Sequence, residues 1–173
     1  MLDGKKYLLI MSQSKPDPKL LLKYGVAGTV VTKSYDAFLD KIHDGQIMRF
    51  RLTANPTHKI TKPGERHGKD LPHVTVVQQE KWLLDRAEKS GFQLVKQVDI
   101  DDSNEMETLA FKVVSRDWPM LHRNPGHGVR LSRVTFEGLL RVEDAKTFKQ
   151  LLVKGIGREK AFGMGMMTVI PEA

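Results

Sequence analysis

Between Gly155 and Gly165 the chain places four glycines in eleven residues, Gly155, Gly157, Gly163 and Gly165, with Arg158 and Lys160 among them. Glycines lack a Cβ and let a backbone come close to phosphate oxygens, while the arginine and lysine supply positive charge beside it. A helical pattern precedes the segment and a strand pattern follows it. Nucleotide-binding P-loops and dinucleotide fingerprints have the opposite order, strand into helix, so the segment is neither. Two readings stay open: a loop that contacts anions, or a Gly-rich helix-to-strand turn with charges on its surface.

Six histidines are the side chains suited to proton transfer near neutral pH. His43 stands beside Asp44 at an expected helix end, and His58, His67 and His73 belong to a basic loop, solvated or in contact with phosphate. His122 and His127 flank Arg123-Asn124-Pro125-Gly126. With no cysteine and no nearby carboxylate pair they would make a sparse metal site, so no metal and no cofactor is expected. The absence of cysteine also removes disulfides, iron–sulfur clusters and thiol nucleophiles, and fits a reducing cytoplasm.

The 173 residues include 28 Lys+Arg against 21 Asp+Glu, a net charge of +7 that is unevenly spread. Arg49, Arg51, Lys59, Lys62, Arg66 and Lys69 face a single acid, Glu65, within 49–69. Lys112, Arg116, Arg123, Arg130 and Arg133 face only Asp117 within 112–133, and an acidic stretch, Asp99, Asp101, Asp102, Glu105 and Glu107, separates the two. This predicts a polarised surface suited to an anionic partner. With 40% apolar and 28% charged residues the composition is that of a globular protein. No apolar run nears the about 18 residues of a membrane span, and the N-terminus lacks the pattern of a signal or transit peptide, so a cytoplasmic location away from membranes is expected.

The elements that must position these residues alternate between strand and helix. Apolar runs predict strands at Tyr7–Met11 and Thr29–Thr32, a short helix over Ser34–His43, and a strand over Ile47–Leu52 with Arg49 and Arg51 on one face. The polar stretch from Asn55 to Pro72 reads as a loop. A helix over Val77–Ser90 closes at Gly91, and strands follow at Gln93–Val98, Thr108–Ser115 and Val129–Val142. Asp144 caps a helix that ends at Gly155, and the last strand is Met164–Ile170. Met106, Met120, Met164, Met166 and Met167 read as core, Trp82 and Trp118 as packed in the core or near the domain interface, and all three tyrosines as structural. The fold class is α+β, as tandem ferredoxin-like (RRM-like) β-α-β-β-α-β domains: a partial one over 1–60, a basic linker over 61–72 and a nearly complete one over 73–173. The first lacks its opening strand and helix, which would leave a sheet edge and apolar surface uncovered.

Gly-Ile-Gly-Arg-x-Lys-Ala-Phe-Gly-x-Gly running into a C-terminal strand resembles the end of the CRISPR-associated CasE family, the repeat-processing endoribonuclease of the type I-E Cascade complex. Phe50-Arg51-Leu52-Thr53-Ala54-Asn55-Pro56, the helix around Gln79–Ala87 and Arg130-Leu131-Ser132-Arg133-Val134-Thr135-Phe136-Glu137-Gly138 extend the resemblance over about Gly4 to Pro171. It implies two ferredoxin-like domains, binding to the stem-loop of a CRISPR repeat transcript, metal-independent cleavage at its base, and retention of the product among other Cascade subunits. It further implies that Arg158 and Lys160 contact RNA phosphates, that Gly155, Gly157, Gly163 and Gly165 shape the loop, and that Arg130 and Arg133 lie on the RNA-facing hairpin or strand, with Lys62, Arg66 and Lys69 as further contacts. With 7% aromatics the chain suits a duplex gripped by its phosphates better than stacked single-stranded bases.

The family's general acid/base histidine lies on the first helix of its first domain, and no residue here matches it, so the catalytic residues are unknown. Losing such a group removes a factor of about 10²–10⁴ from the rate. Three alternatives therefore stand: a CasE-type nuclease, a catalytically inactive RNA-binding subunit, and a ferredoxin-like module for protein assembly.

Overall fold

The computed structural model describes residues 8–61, 63–64, 68–101, 104–124 and 127–172, grouped in two units, 1–41 and 42–173. In the first unit the regular elements are two single turns, α1 (Pro18–Leu21), capped by the Asp17 carboxylate, and α2 (Asp36–Leu39). Strands expected at residues 8–11 and 29–32 do not form, and the helix expected over 34–43 shrinks to α2. β-Branched residues favour a strand only where a neighbouring strand offers a ladder, and among the described residues none pairs with Thr29–Thr32. Tyr7 lies outside the described residues, Tyr24 is exposed, and Tyr35 stacks on Phe38.

The second unit is built on a mixed fold of helices and antiparallel strands. β1 (Ile47–Ala54) buries Met48, Phe50, Leu52 and Ala54 and turns Arg49 and Arg51 outward, as its alternation requires. A hairpin of β2 (Thr57–Ile60) and β3 (Lys69–Pro72) follows. Helix α3 (Val76–Ala87) starts at a capping box between Thr75 and Gln78 and buries Gln79, Trp82, Leu83 and Ala87. Gly91 closes it with φ 79°, where a Cβ would lie 2.5 Å from the Asp144 carbonyl oxygen. Then come β4 (Phe92–Leu94), β5 (Lys96–Asp101), β6 (Asn104–Leu109), β7 (Phe111–Asp117), β8 (Met120–Asn124), β9 (His127–Arg130) and β10 (Arg133–Val142). Asp144 caps α4 (Ala145–Lys154), and β11 (Met167–Pro171) ends the fold.

The main sheet runs β11-β1-β10-β4, with β7 taking the rest of the β10 edge. Every pairing in it is antiparallel. Phe50, Phe92, Phe136 and Phe148 are fully buried with Leu83 and Leu152 of the two helices, each aromatic contributing about 2–3 kcal/mol by leaving water. The other face of the sheet carries cross-strand ion pairs, Arg49 with Glu172 at 2.9 Å and Arg51 with Glu137.

Two expectations are corrected here. The division falls after Lys41, not in the segment 61–72, because β1 is hydrogen bonded along its length to β10 and also to β11 and so belongs to the C-terminal sheet. The residues 1–60 are therefore not one partial domain. Met164 and Met167 are core as expected, but Met106 and Met120 are exposed on the hairpins β5–β6 and β8–β9.

Candidate nucleic-acid interface

The Gly-rich loop is held in place by its neighbours. Helix α4 ends where the Gly155 N–H donates to the Leu151 carbonyl at 2.7 Å and φ turns to 69°. The Ile156 N–H donates to the Gly165 carbonyl at 2.8 Å, and the Gly165 N–H donates to the Thr53 carbonyl of β1 at 2.6 Å. At Gly165, with φ 85°, a Cβ would stand 2.3 Å from the Ile156 oxygen, so the two sides of the loop close only through glycine. Gly157 rests on Trp82, whose Cζ2 lies 3.0 Å from where a Cβ would be. Trp82 in turn is stacked beside Phe136 and covered by the Arg86 guanidinium, 4.3 Å from its ring centroid. Ile156 and Met164 anchor the loop in the core while Arg158 and Lys160 stay exposed.

The helix leading into this loop presents its C-terminal, partly negative end. Any attraction for an anion must therefore come from the side chains. Arg158 Nη1 lies 2.5 Å from Asp70 Oδ2 on β3, which links the loop to the hairpin β2–β3 and to its exposed Lys59 and Lys69. Lys62, Arg66 and His67 lie outside the described residues.

Arg130 and Arg133 flank the junction of β9 and β10. The Arg130 guanidinium sits 5.7 Å over the Trp118 ring, and Arg133 grips Asp117 across the β7–β10 ladder with two hydrogen bonds. That bond to Arg133 holds the Asp117 carboxyl below its ordinary range and raises Arg133 above its own. Beside them, Arg116 Nη2 donates to the Val74 carbonyl at 2.6 Å.

The register gathers these segments. Gly165 bonds to Thr53, Thr53 faces Thr135, and Arg133 is two residues further along β10. The end of β1, the end of β7, the start of β10 and the start of β11 thus lie at one end of the sheet. Both hairpins, β2–β3 after β1 and β8–β9 between β7 and β10, leave from that end. The acidic hairpin β5–β6 leaves at the β4/β7 edge, where Leu94 pairs with Leu140 and Phe111 with Gly138.

The described histidines do not join the Gly-rich loop directly. His43 Nδ1 is 3.0 Å from the Asp44 carbonyl, and the rings of His58 and His73 lie tilted by 36° to each other with centroids 4.7 Å apart. The side chains of His122 and His127 lie outside the described residues. Sequence reading missed Asp70 and the role of Trp82 under Gly157. Asp70 had one signal, an acid at the edge of a basic run; nothing in the spacing pointed Trp82 at a loop about 75 residues away.

Comparison with known proteins shows what the chain is similar to. The chain is 29% identical over 170 residues, 95% of its length and 72% of the relative's, to the CRISPR-associated endoribonuclease Cse3 of Thermus thermophilus. A solved structure of Thermus thermophilus Cse3 bound to an RNA representing a pre-cleavage complex matches with a TM-score of 0.60 and 28% identity, covering 75% of this chain and 56% of that one. The Escherichia coli K-12 CRISPR-associated protein Cas6e shares the fold, with a TM-score of 0.56, 22% identity, and 76% and 64% of the two chains covered. The chain thus spans somewhat more than half the length of these solved relatives. A family model for CRISPR associated protein matches residues 2–171, and the chain belongs to that family.

Proposed function

We propose that this chain binds the stem-loop of a CRISPR repeat transcript and takes part in its metal-independent cleavage, keeping the product within a Cascade effector complex. The observation that carries the reading is the gathering of Arg158, Lys160, Lys69, Arg130 and Arg133 at one end of the sheet, around a loop whose backbone is closed by glycines. Duplex RNA is recognised by shape, phosphates and 2′-hydroxyls, and this end of the sheet offers cations on fixed backbone. Similarity to Cse3, whose solved forms include complexes with RNA, supports the same ligand. The connectivity β1-α3-β4-β10-α4-β11 with sheet order β11-β1-β10-β4 fits one ferredoxin-like module.

Cleavage without a metal removes the proton of a 2′-hydroxyl, forms the O2′–P bond, breaks the P–O5′ bond and protonates the departing 5′-oxygen. A second reading, an RNA-binding subunit that does not cut, is favoured by the described imidazoles, since the rings of His58 and His73 pack against each other and His43 Nδ1 lies against the Asp44 carbonyl. One assay separates them: a repeat-like hairpin incubated with the chain in EDTA, beside a hairpin carrying a 2′-deoxy substitution at the scissile position. Cutting of the first alone establishes the nuclease. Binding without cutting establishes the second reading, and no binding overturns both.

A further inference from the structure

Asp70 is a carboxylate set among cations, and its ion pair is not with Lys59, which faces it across the ladder, but with Arg158 of the Gly-rich loop. We infer that Asp70 is a positioning residue that determines specificity: it fixes the Arg158 guanidinium so that the remaining donors meet a phosphate only where a folded stem puts one. The inference rests on the RNA-binding reading above and assigns a role within that site.

Both ends of the pair stand on restrained backbone. Asp70 is within a hydrogen-bonded strand, and Arg158 follows Gly157, which is seated on Trp82, in a loop tied to Thr53 of β1. The recorded contact is a single one, Nη1 to Oδ2 at 2.5 Å, so the fork keeps other N–H groups for a ligand, and the Arg158 side chain is 57% exposed. An ion pair this exposed adds little to stability, so folding gives no reason for it. For recognition it has two effects. The carboxylate repels every nucleic-acid backbone alike, which weakens unspecific binding. Holding the guanidinium in advance lowers the entropy lost on meeting a phosphate, a gain open only to a ligand whose phosphate lies at that place.

Removing the carboxylate therefore relieves repulsion for both ligands and takes the positioning gain from the hairpin alone, so the ratio of the two affinities falls. Affinities of the unaltered chain and of Asp70→Asn are measured for a repeat-like RNA hairpin and for an unstructured RNA of equal length at several salt concentrations. Asp70→Asn is expected to bind the unstructured RNA more tightly and to lower the ratio of hairpin to unstructured affinity about fivefold. Asp70→Glu, which keeps the charge with a longer reach, restores part of the ratio. In an Arg158→Ala background, Asp70→Asn leaves the ratio unchanged, because the residue that it positions is gone. An unaltered ratio in Asp70→Asn, or the same fall with Arg158 removed, overturns the inference while leaving RNA binding intact. An unaltered chain that shows no preference for the hairpin overturns the functional reading and the inference together. Equal thermal midpoints of the variants confirm that the comparison is between folded proteins.

Discussion

Gly163 and Gly165 are two residues apart and both left-handed, with φ of 76° and 85°, yet their surroundings differ. At Gly163 a Cβ would meet nothing within 4 Å, whereas at Gly165 it would meet the Ile156 oxygen at 2.3 Å. Gly163→Ala therefore carries only the conformational penalty, about 1–2 kcal/mol. Gly165→Ala adds a clash with backbone that cannot move without opening the bond to Thr53, and is expected to cost clearly more in urea denaturation. Equal losses would show that the loop is free to relax. The glycines were readable in the sequence as a sharp turn because their spacing has no use in a helix or strand. What sequence could not convey was which of them meets another atom, since Ile156, Trp82 and Thr53 are brought there by tertiary folding.

Among the elements, α3 and α4 were legible because their ends carry local signals: Thr75 and Gln78, Asp144, and the closing Gly91 and Gly155. The strands were legible by alternation but not by partner. The strand expected over Ile47–Leu52 falls by sequence with the residues before it, whereas the ladder of β1 is with Val134–Arg141. The hairpin β2–β3 bears a pH dependence of its own. His73 follows β3, its N–H donates to the Pro56 carbonyl, and its ring faces His58 of β2 with Asp85 and Arg86 of α3 nearby. Burial first, then the charges of His58 and Arg86, lower its pKa below 6.5, against a smaller opposite pull from Asp85. The unfolded chain then binds a proton more readily than the folded one. Stability is complete above about pH 6.5 and falls as the pH drops below it. Urea denaturation at pH 7.5 and 5.0 is expected to show this loss, and His73→Gln to reduce it. A His73→Gln protein with the full loss would place the titration elsewhere.

At the scale of the molecule, the two units differ in how they are stabilised. The unit 42–173 has a shared core of four phenylalanines, while in 8–41 no described residue is buried, and Leu8, Leu9, Leu20, Tyr24, Val26 and Val31 are exposed. Backbone without buried contacts opens at little free energy. Trypsin is therefore expected to cut first after Lys19, Lys23 or Lys33, leaving a resistant fragment that mass spectrometry would identify as the C-terminal unit. Early cleavage within β1, α3 or β10 would contradict this ranking.

The central pairing also has a kinetic side. The longest ladder joins Ile47 to Arg141 and Ala54 to Val134, so the strands that found the sheet are separated by nearly everything else in the unit. Their meeting requires closing a loop on the order of 80–90 residues, an entropic loss suffered before any core contact compensates it. The hairpins β2–β3, β5–β6 and β8–β9 join near neighbours and can form within microseconds on their own. Folding is thus expected to wait on the encounter of β1 with β10, and the candidate interface, which exists only where those two strands meet, is assembled at the same late step.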